Sequence, residues 1–261
     1  MNKIKERIKK IRDKLSSGKV SLGTWNTLGH PAIAEIFSKS GFDWITIDLE
    51  HSVIDLFDAE QLIRTIDLSG SLPLCRLPVN DQTIIKRLLD AGAGGIIIPQ
   101  VNSKEDLIKA VSATRYPSQG IRGAGLARAQ EYGHSFDEYN DFLRSEGILI
   151  VAQIEHIDGV TNLDSILEVD ELDAIIIGPY DLSASMGKAG QLNDLEVVQK
   201  IDQIISISKE KNISCGIHII EPDLGKLDEA IEKGFNFIAY SLDIRMLDSS
   251  ARDANKHINQ K

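Results

Sequence analysis

Eight apolar runs of strand length recur along the chain, and a stretch with helical spacing or a loop and helix follows each of them. The runs are VSLGTW, FDWITID, LPLCRL, GGIIIPQ, ILIVAQIE, DAIIIG, NISCGIH and FNFIAYS. Helices are predicted over 30–40, 56–68, 82–91, 103–113 with Ser103 as N-cap, 157–173, 194–211, a stretch closing at 233, and a last one from 245. A strand-helix-strand crossover makes its two strands parallel. Eight such pairs in 261 residues, with no Pro-rich or Ser-rich linker, fit the (β/α)8 barrel of the α/β class in number, order and length. The alternative is a doubly wound open sheet. Its nucleotide-binding glycines follow a strand, whereas Gly92, Gly94 and Gly95 precede one. One domain over 1–261 is expected, with 1–17 as an amphipathic helix over one end and 115–147 as a long irregular loop before the fifth strand.

Composition narrows the partners. With 42% hydrophobic residues the chain can bury a full core, and 29 basic against 39 acidic residues give a net charge of -10. That balance argues against a nucleic-acid or anionic-membrane partner. The basic N-terminus lacks the apolar core and cleavage site of a signal peptide, and no apolar run is long enough to span a bilayer. A membrane-surface role for the first helix is the lesser alternative. Cys75 and Cys215 stand far apart without a CxxC pattern, so neither a disulfide framework nor a thiolate metal site is suggested, and a reducing cytoplasm fits.

On a barrel, chemistry gathers at the C-terminal ends of the strands. Those ends carry Trp25 and Asn26, then Asp48, Glu50 and His51, then Arg76, then Gln100, then Gln153 and Glu155, then Asp181, His218 and Ser241. No lysine stands among them, so a Schiff base with a carbonyl substrate lacks its nucleophile, and metal-assisted chemistry is the simpler option. Glu155 and Asp181 close consecutive parallel strands and therefore leave the same edge. Two carboxylates there, with no Lys or Arg beside them in sequence, suit a hard cation such as Mg²⁺ or Mn²⁺. They could instead be loop acids capping the helices that follow. His51 beside Asp48 and Glu50 reads as a proton-transfer group or as a buried structural imidazole. Arg76, between Leu74 and Leu77, reads equally as a donor to negative charge on a substrate oxygen and as a partner of Asp48 or Glu50. The turn from Gly178 to Asp181 could offer backbone N–H groups to a carboxylate or simply lead into a helix. Asp90 ends a helix, where an acid usually caps or is solvated. Arg115, Arg122 and Arg128 read first as charges of a solvated loop, and His134, His156 and His257 as surface residues.

The texts FDWITIDLEHS, RLPVND, KRLLDAGAGGIIIPQV, RYPSQGIRGAG, QIE and IGPYDLSASMG resemble, in order, the motifs of the HpcH/HpaI aldolases, metal-dependent class II pyruvate aldolases on a (β/α)8 barrel. The likeness runs from about residue 20 to residue 241. It implies a reversible cleavage of a 4-hydroxy-2-oxo acid to pyruvate and an aldehyde through a metal-bound enolate, and the polar His218 suggests a hydroxylated aldehyde such as one derived from a sugar acid. It further implies Glu155 and Asp181 as ligands of Mg²⁺ or Mn²⁺, His51 as base, Asp90 as the acid that raises its basicity, and Arg76 as the group stabilising the developing charge. Gln153, with the backbone at Tyr180 and Asp181, would hold the pyruvyl part. A trimer or hexamer is implied too, with the helix after Ser241 exchanged between subunits. Tyr180 and His218 depart from the family's pattern, at the side of the mouth where the aldehyde would lie. An acyl-CoA-using lyase like the citrate lyase β-subunit or malyl-CoA lyase, and a barrel without catalysis, are the alternatives.

Overall fold

The computed structural model describes residues 2–259. Eight strands, β1 (Ser21–Asn26), β2 (Trp44–Asp48), β3 (Leu72–Arg76), β4 (Gly95–Ile98), β5 (Leu149–Ile154), β6 (Ala174–Ile177), β7 (Ser214–Ile219) and β8 (Phe237–Leu242), pair in chain order into a closed barrel. All pairings are parallel, and β1 closes the ring against β8. Helices alternate with the strands: α1 (Asn2–Ser16), α2 (Pro31–Lys39), α3 (Leu56–Ser69), α4 (Gln82–Ala91), α5 (Lys104–Thr114), α6 (Phe136–Ser145), α7 (Ile157–Thr161), α8 (Leu163–Ile166), α9 (Pro179–Ser185), α10 (Leu195–Glu210), α11 (Leu224–Glu232) and α12 (Asp243–Asn259). The expected (β/α)8 architecture is therefore the observed one. No helix among the described residues is long and apolar enough to cross a membrane.

Local chemistry explains where these elements start and stop. Asp55, Asp81, Ser103 and Asp223 each cap a helix by accepting from backbone N–H groups of its first turn. Gly70 and Gly92 end α3 and α4 in the left-handed conformation that residues with a Cβ resist. The barrel interior is filled from the bottom by Trp44 and Phe237, stacked at 4.4 Å. A Cβ on Gly23 would lie 2.1 Å from the Trp44 ring, so glycine at that β1 position is what admits the indole.

The amphipathic α1 covers this lower end. Ile8, Ile11 and Leu15 are buried there, while Arg7 meets Asp67 at 2.8 Å, Arg12 meets Asp173 at 2.6 Å and Lys14 meets Asp43 at 2.5 Å. Its basic character is thus matched by acids around the bottom of the barrel.

Two segments differ from the sequence expectation. The stretch 115–147 is not wholly irregular, because α6 buries Tyr139, Phe142 and Leu143 on one face. Its arginines are not solvated. Arg122 is 0% exposed, lies 4.9 Å and 5.4 Å from the Tyr116 and Tyr139 rings, and donates to Asp90 Oδ1 at 2.6 Å. Arg115 pairs with Glu171 and Arg128 with Asp67. The crossover 157–173 breaks into the short α7 and α8, whereas the turn at 178–181 leads into α9, one of the two readings the sequence allowed.

Candidate active site

The strand ends open on a cavity of about 680 Å³ whose lining includes Trp25, Asp48, His51, Arg76, Gln153, Tyr180, Asp181 and His218. Asp48 and Arg76 are register partners at the ends of β2 and β3, which sets their side chains next to each other. The guanidinium donates through Nε to Oδ1 at 2.9 Å and through Nη2 to Oδ2 at 2.7 Å, a bidentate pair. Asp48 is 3% exposed and Arg76 is 8% exposed. Nη1 of Arg76 stands 3.1 Å from Glu50 Oε2, and the guanidinium lies 4.3 Å from the Trp25 ring. Of the two readings of Arg76, the structure displays the pairing with acids: Nε and Nη2 are committed to Asp48, and Nη1 points toward Glu50. Asp48 Oδ1 also accepts from the N–H groups of Glu50 and His51, and so shapes the turn that carries both.

His51 is not a buried structural imidazole; its side chain is 65% exposed, with Nε2 4.0 Å from Glu50 Oε2. Within the chain, then, the acid beside His51 is Glu50. Asp90 lies in the last turn of α4, which runs away from the mouth for about 15 Å at the usual helical rise, and its carboxylate is engaged by Arg122. One chain does not bring Asp90 and His51 together.

Glu155, 3% exposed, projects beyond the end of β5. Its Oε1 accepts from the backbone N–H of Gln100 at 2.8 Å, and its Oε2 accepts from Gln153 Nε2. Gln100 holds a φ of 54°, unusual for a residue with a side chain. Nothing in the sequence signals that conformation. Gly178 packs against the same carboxylate, where an added Cβ would come within 2.9 Å of Oε2. Asp181 lies in the first turn of α9 at the cavity edge, and Tyr180, 56% exposed, stands beside it.

The electrostatics of this rim favour a cation. Burial pushes the Glu155 carboxyl above the usual range against the bonds from Gln153 and Gln100, and the charge of Asp181 pushes it further. Burial likewise raises Glu50, with Arg76 opposing and Glu155 and Asp48 adding repulsion. Asp48, Glu50 and Glu155 therefore share one guanidinium, with Asp181 acting on Glu155, and among the described residues no other Lys or Arg forms an ion pair with any of the four. No group of three or more His, Cys, Asp or Glu side chains among the described residues is arranged to hold an ion by itself. A donor pair of Glu155 and Asp181 still fits Mg²⁺ or Mn²⁺, which take one or two protein carboxylates and complete their shell with water and substrate oxygens.

His218 projects from β7 into the same mouth. Its ring stacks on Trp25 with centroids 4.8 Å apart and planes 9° from parallel, and Nε2 is 3.0 Å from the carbonyl oxygen of Ser241. Burial, with Arg76 nearby, holds its pKa down to about 4.

Comparison with known proteins agrees with this architecture. The family model described as HpcH/HpaI aldolase/citrate lyase matches residues 21–249. The hydroxypyruvate/pyruvate aldolase of Roseobacter denitrificans is 36% identical over 239 residues, covering 91% of this chain and 92% of that protein. The 5-keto-4-deoxy-D-glucarate aldolase of Citrobacter koseri is 33% identical over 244 residues, covering 93% of each. Among solved structures, an HpcH/HpaI aldolase/citrate lyase family protein from Burkholderia cenocepacia superposes with a TM-score of 0.88 at 28% identity, over 96% of this chain and 99% of that one. The HpcH/HpaI aldolase of Desulfitobacterium hafniense does so at 0.84 and 31% identity, over 95% and 96%. With the family model matching from β1 into α12 and relatives at 33–36% identity covering more than nine tenths of both chains, the chain belongs to the HpcH/HpaI aldolase/citrate lyase family.

Proposed function

We propose that the chain is a carbon–carbon lyase, a class II aldolase that reversibly cleaves a 4-hydroxy-2-oxo acid to pyruvate and an aldehyde. The observation that carries this reading is the excess of carboxylate over cation at the mouth, centred on the buried Glu155. Bound at Glu155 and Asp181, Mg²⁺ or Mn²⁺ would polarise a keto oxygen and lower the cost of negative charge at the carbon beside it. The chain's own groups then divide the remaining work. Arg76, held rigid by Asp48, offers Nη1 to the oxygen on which charge develops. His51, exposed and beside Glu50, takes the proton of the C4 hydroxyl at Nε2 as the C3–C4 bond breaks. The electron pair of that bond forms the enolate of pyruvate, the aldehyde departs, and a proton delivered to C3 completes pyruvate. Gln153 keeps Glu155 oriented through Nε2, and its remaining amide oxygen and the backbone at Tyr180 and Asp181 border the space for the pyruvyl part.

The 5-keto-4-deoxy-D-glucarate aldolases at 33–34% identity favour an aldehyde derived from a sugar acid. The free, buried Cys75 and Cys215 are consistent with a reducing cytoplasm. An oligomer, trimeric or hexameric, is favoured by α12, which contacts chiefly β8 and leaves Ile244, Leu247 and Ile258 exposed. If Asp90 assists His51, it does so across such a subunit boundary. Incubation with pyruvate, Mn²⁺ and a panel of aldehydes, with and without EDTA, tests the function. Chelator-sensitive formation of a 4-hydroxy-2-oxo acid is expected, and product formed equally in EDTA would contradict it.

A further inference from the structure

The stacked pair of Trp25 and His218 has a chemical consequence for the second substrate. The Ser241 carbonyl can only accept, so the ring nitrogen 3.0 Å from it, Nε2, is the one that carries the proton. Thr24 Oγ1 also donates to that carbonyl, and Ser241 is itself fixed by a bond from its hydroxyl to the Ile220 carbonyl and by a φ of 53°. Stacking on Trp25 within 9° of parallel removes ring rotation. The imidazole stays neutral at physiological pH. Nδ1 is then an unprotonated acceptor, with no hydrogen bond among the described residues, on a side chain that lines the mouth.

A neutral lone pair attracts a hydroxyl hydrogen and repels a carboxylate or carbonyl oxygen. We infer that His218 is a specificity residue whose Nδ1 accepts a hydrogen bond from a hydroxyl next to the carbonyl of the aldehyde, selecting hydroxyaldehydes over aliphatic ones. This rests on the aldolase reading and deepens it.

The test compares glycolaldehyde with acetaldehyde, which differ by one hydroxyl, as acceptors for pyruvate in the presence of Mn²⁺. Wild type, His218→Leu and His218→Asn are measured, and deuterium exchange into the pyruvate methyl group is followed separately by NMR. His218→Leu should lower kcat/KM for glycolaldehyde by about three- to tenfold and leave acetaldehyde and the methyl exchange within about twofold. His218→Asn, whose Oδ1 falls near the place of Nδ1, should recover part of the loss. An unchanged glycolaldehyde-to-acetaldehyde ratio in His218→Leu, or loss of methyl exchange in a folded His218→Leu, overturns the assignment alone. Absence of methyl exchange in the wild type overturns the aldolase reading and the assignment with it.

Discussion

Replacing Arg76 by methionine keeps most of the side-chain volume but withdraws the cation from between Asp48 and Glu50. Asp48 then loses both of its charge-assisted bonds, at 2.9 Å and 2.7 Å, in a place where water barely reaches it. Removing one partner of a buried pair costs about 3–5 kcal/mol, because the other charge is left stranded. At about 2–4 °C per kcal/mol for a chain of this size, the thermal midpoint should fall by about 6–20 °C. The stranded charge is the cause, so removing it should help. Arg76→Met combined with Asp48→Asn should be less destabilised than the sum of the single changes, with a coupling of about 2–3 kcal/mol. Urea unfolding and calorimetry in EDTA, at one protein concentration, measure the cycle without interference from metal. Additivity of the two changes to within about 0.5 kcal/mol would refute the reasoning, since it would mean that the bidentate pair contributes nothing beyond its separate members.

Gly178→Ala puts a methyl group 2.9 Å from Glu155 Oε2 and 2.8 Å from its Cβ; the carboxylate, tied to Gln100 and Gln153, has little freedom to retreat. Overpacking of about 1–3 kcal/mol should appear as a lower midpoint and a Mn²⁺ affinity reduced by about fivefold or more, and unchanged values in calorimetry and Mn²⁺ titration would contradict the crowding. The raised pKa values of Glu50 and Glu155 fix a sign for pH. The folded state holds those protons more tightly than the unfolded chain, so their contribution to stability is present at low pH and lost as pH rises from the ordinary carboxylate range through the folded values. Calorimetry across this range in EDTA should show a shallower decline in Glu155→Gln than in the wild type, and Mn²⁺ should raise the wild-type midpoint more above the window than within it. A larger Mn²⁺ effect at the lower pH would reverse the expected sign.

The barrel was legible because each strand is a short, continuous apolar run, buried on both faces, with a cap or a glycine marking the helix beside it. The segment 136–145 was missed although Phe136, Tyr139, Phe142 and Leu143 stand at helical spacing, because the glycines and charges on either side of it read as loop. Arg122 misled for a related reason. Its neighbours Tyr116, Tyr139 and Asp90 come from three separate elements, and nothing beside it in sequence announces a buried cation.

At the mouth, the pairing of Asp48 with Arg76 followed from adjacent parallel strands in register. The left-handed Gln100, whose N–H grips Glu155, is imposed by tertiary packing and leaves no trace in residue type. The implied partnership of Asp90 with His51 was a statement about residues, and the direction of α4 shows that a single chain does not satisfy it.

A titration of Mn²⁺ by electron paramagnetic resonance bears most directly on the joint grip of Glu155 and Asp181. The wild type should bind one ion per chain, and Glu155→Gln and Asp181→Asn should each weaken that binding by about tenfold or more while keeping the circular dichroism of a folded barrel. Wild-type affinity retained in either variant, with the fold intact, would show that the cation lies elsewhere or is not bound at all.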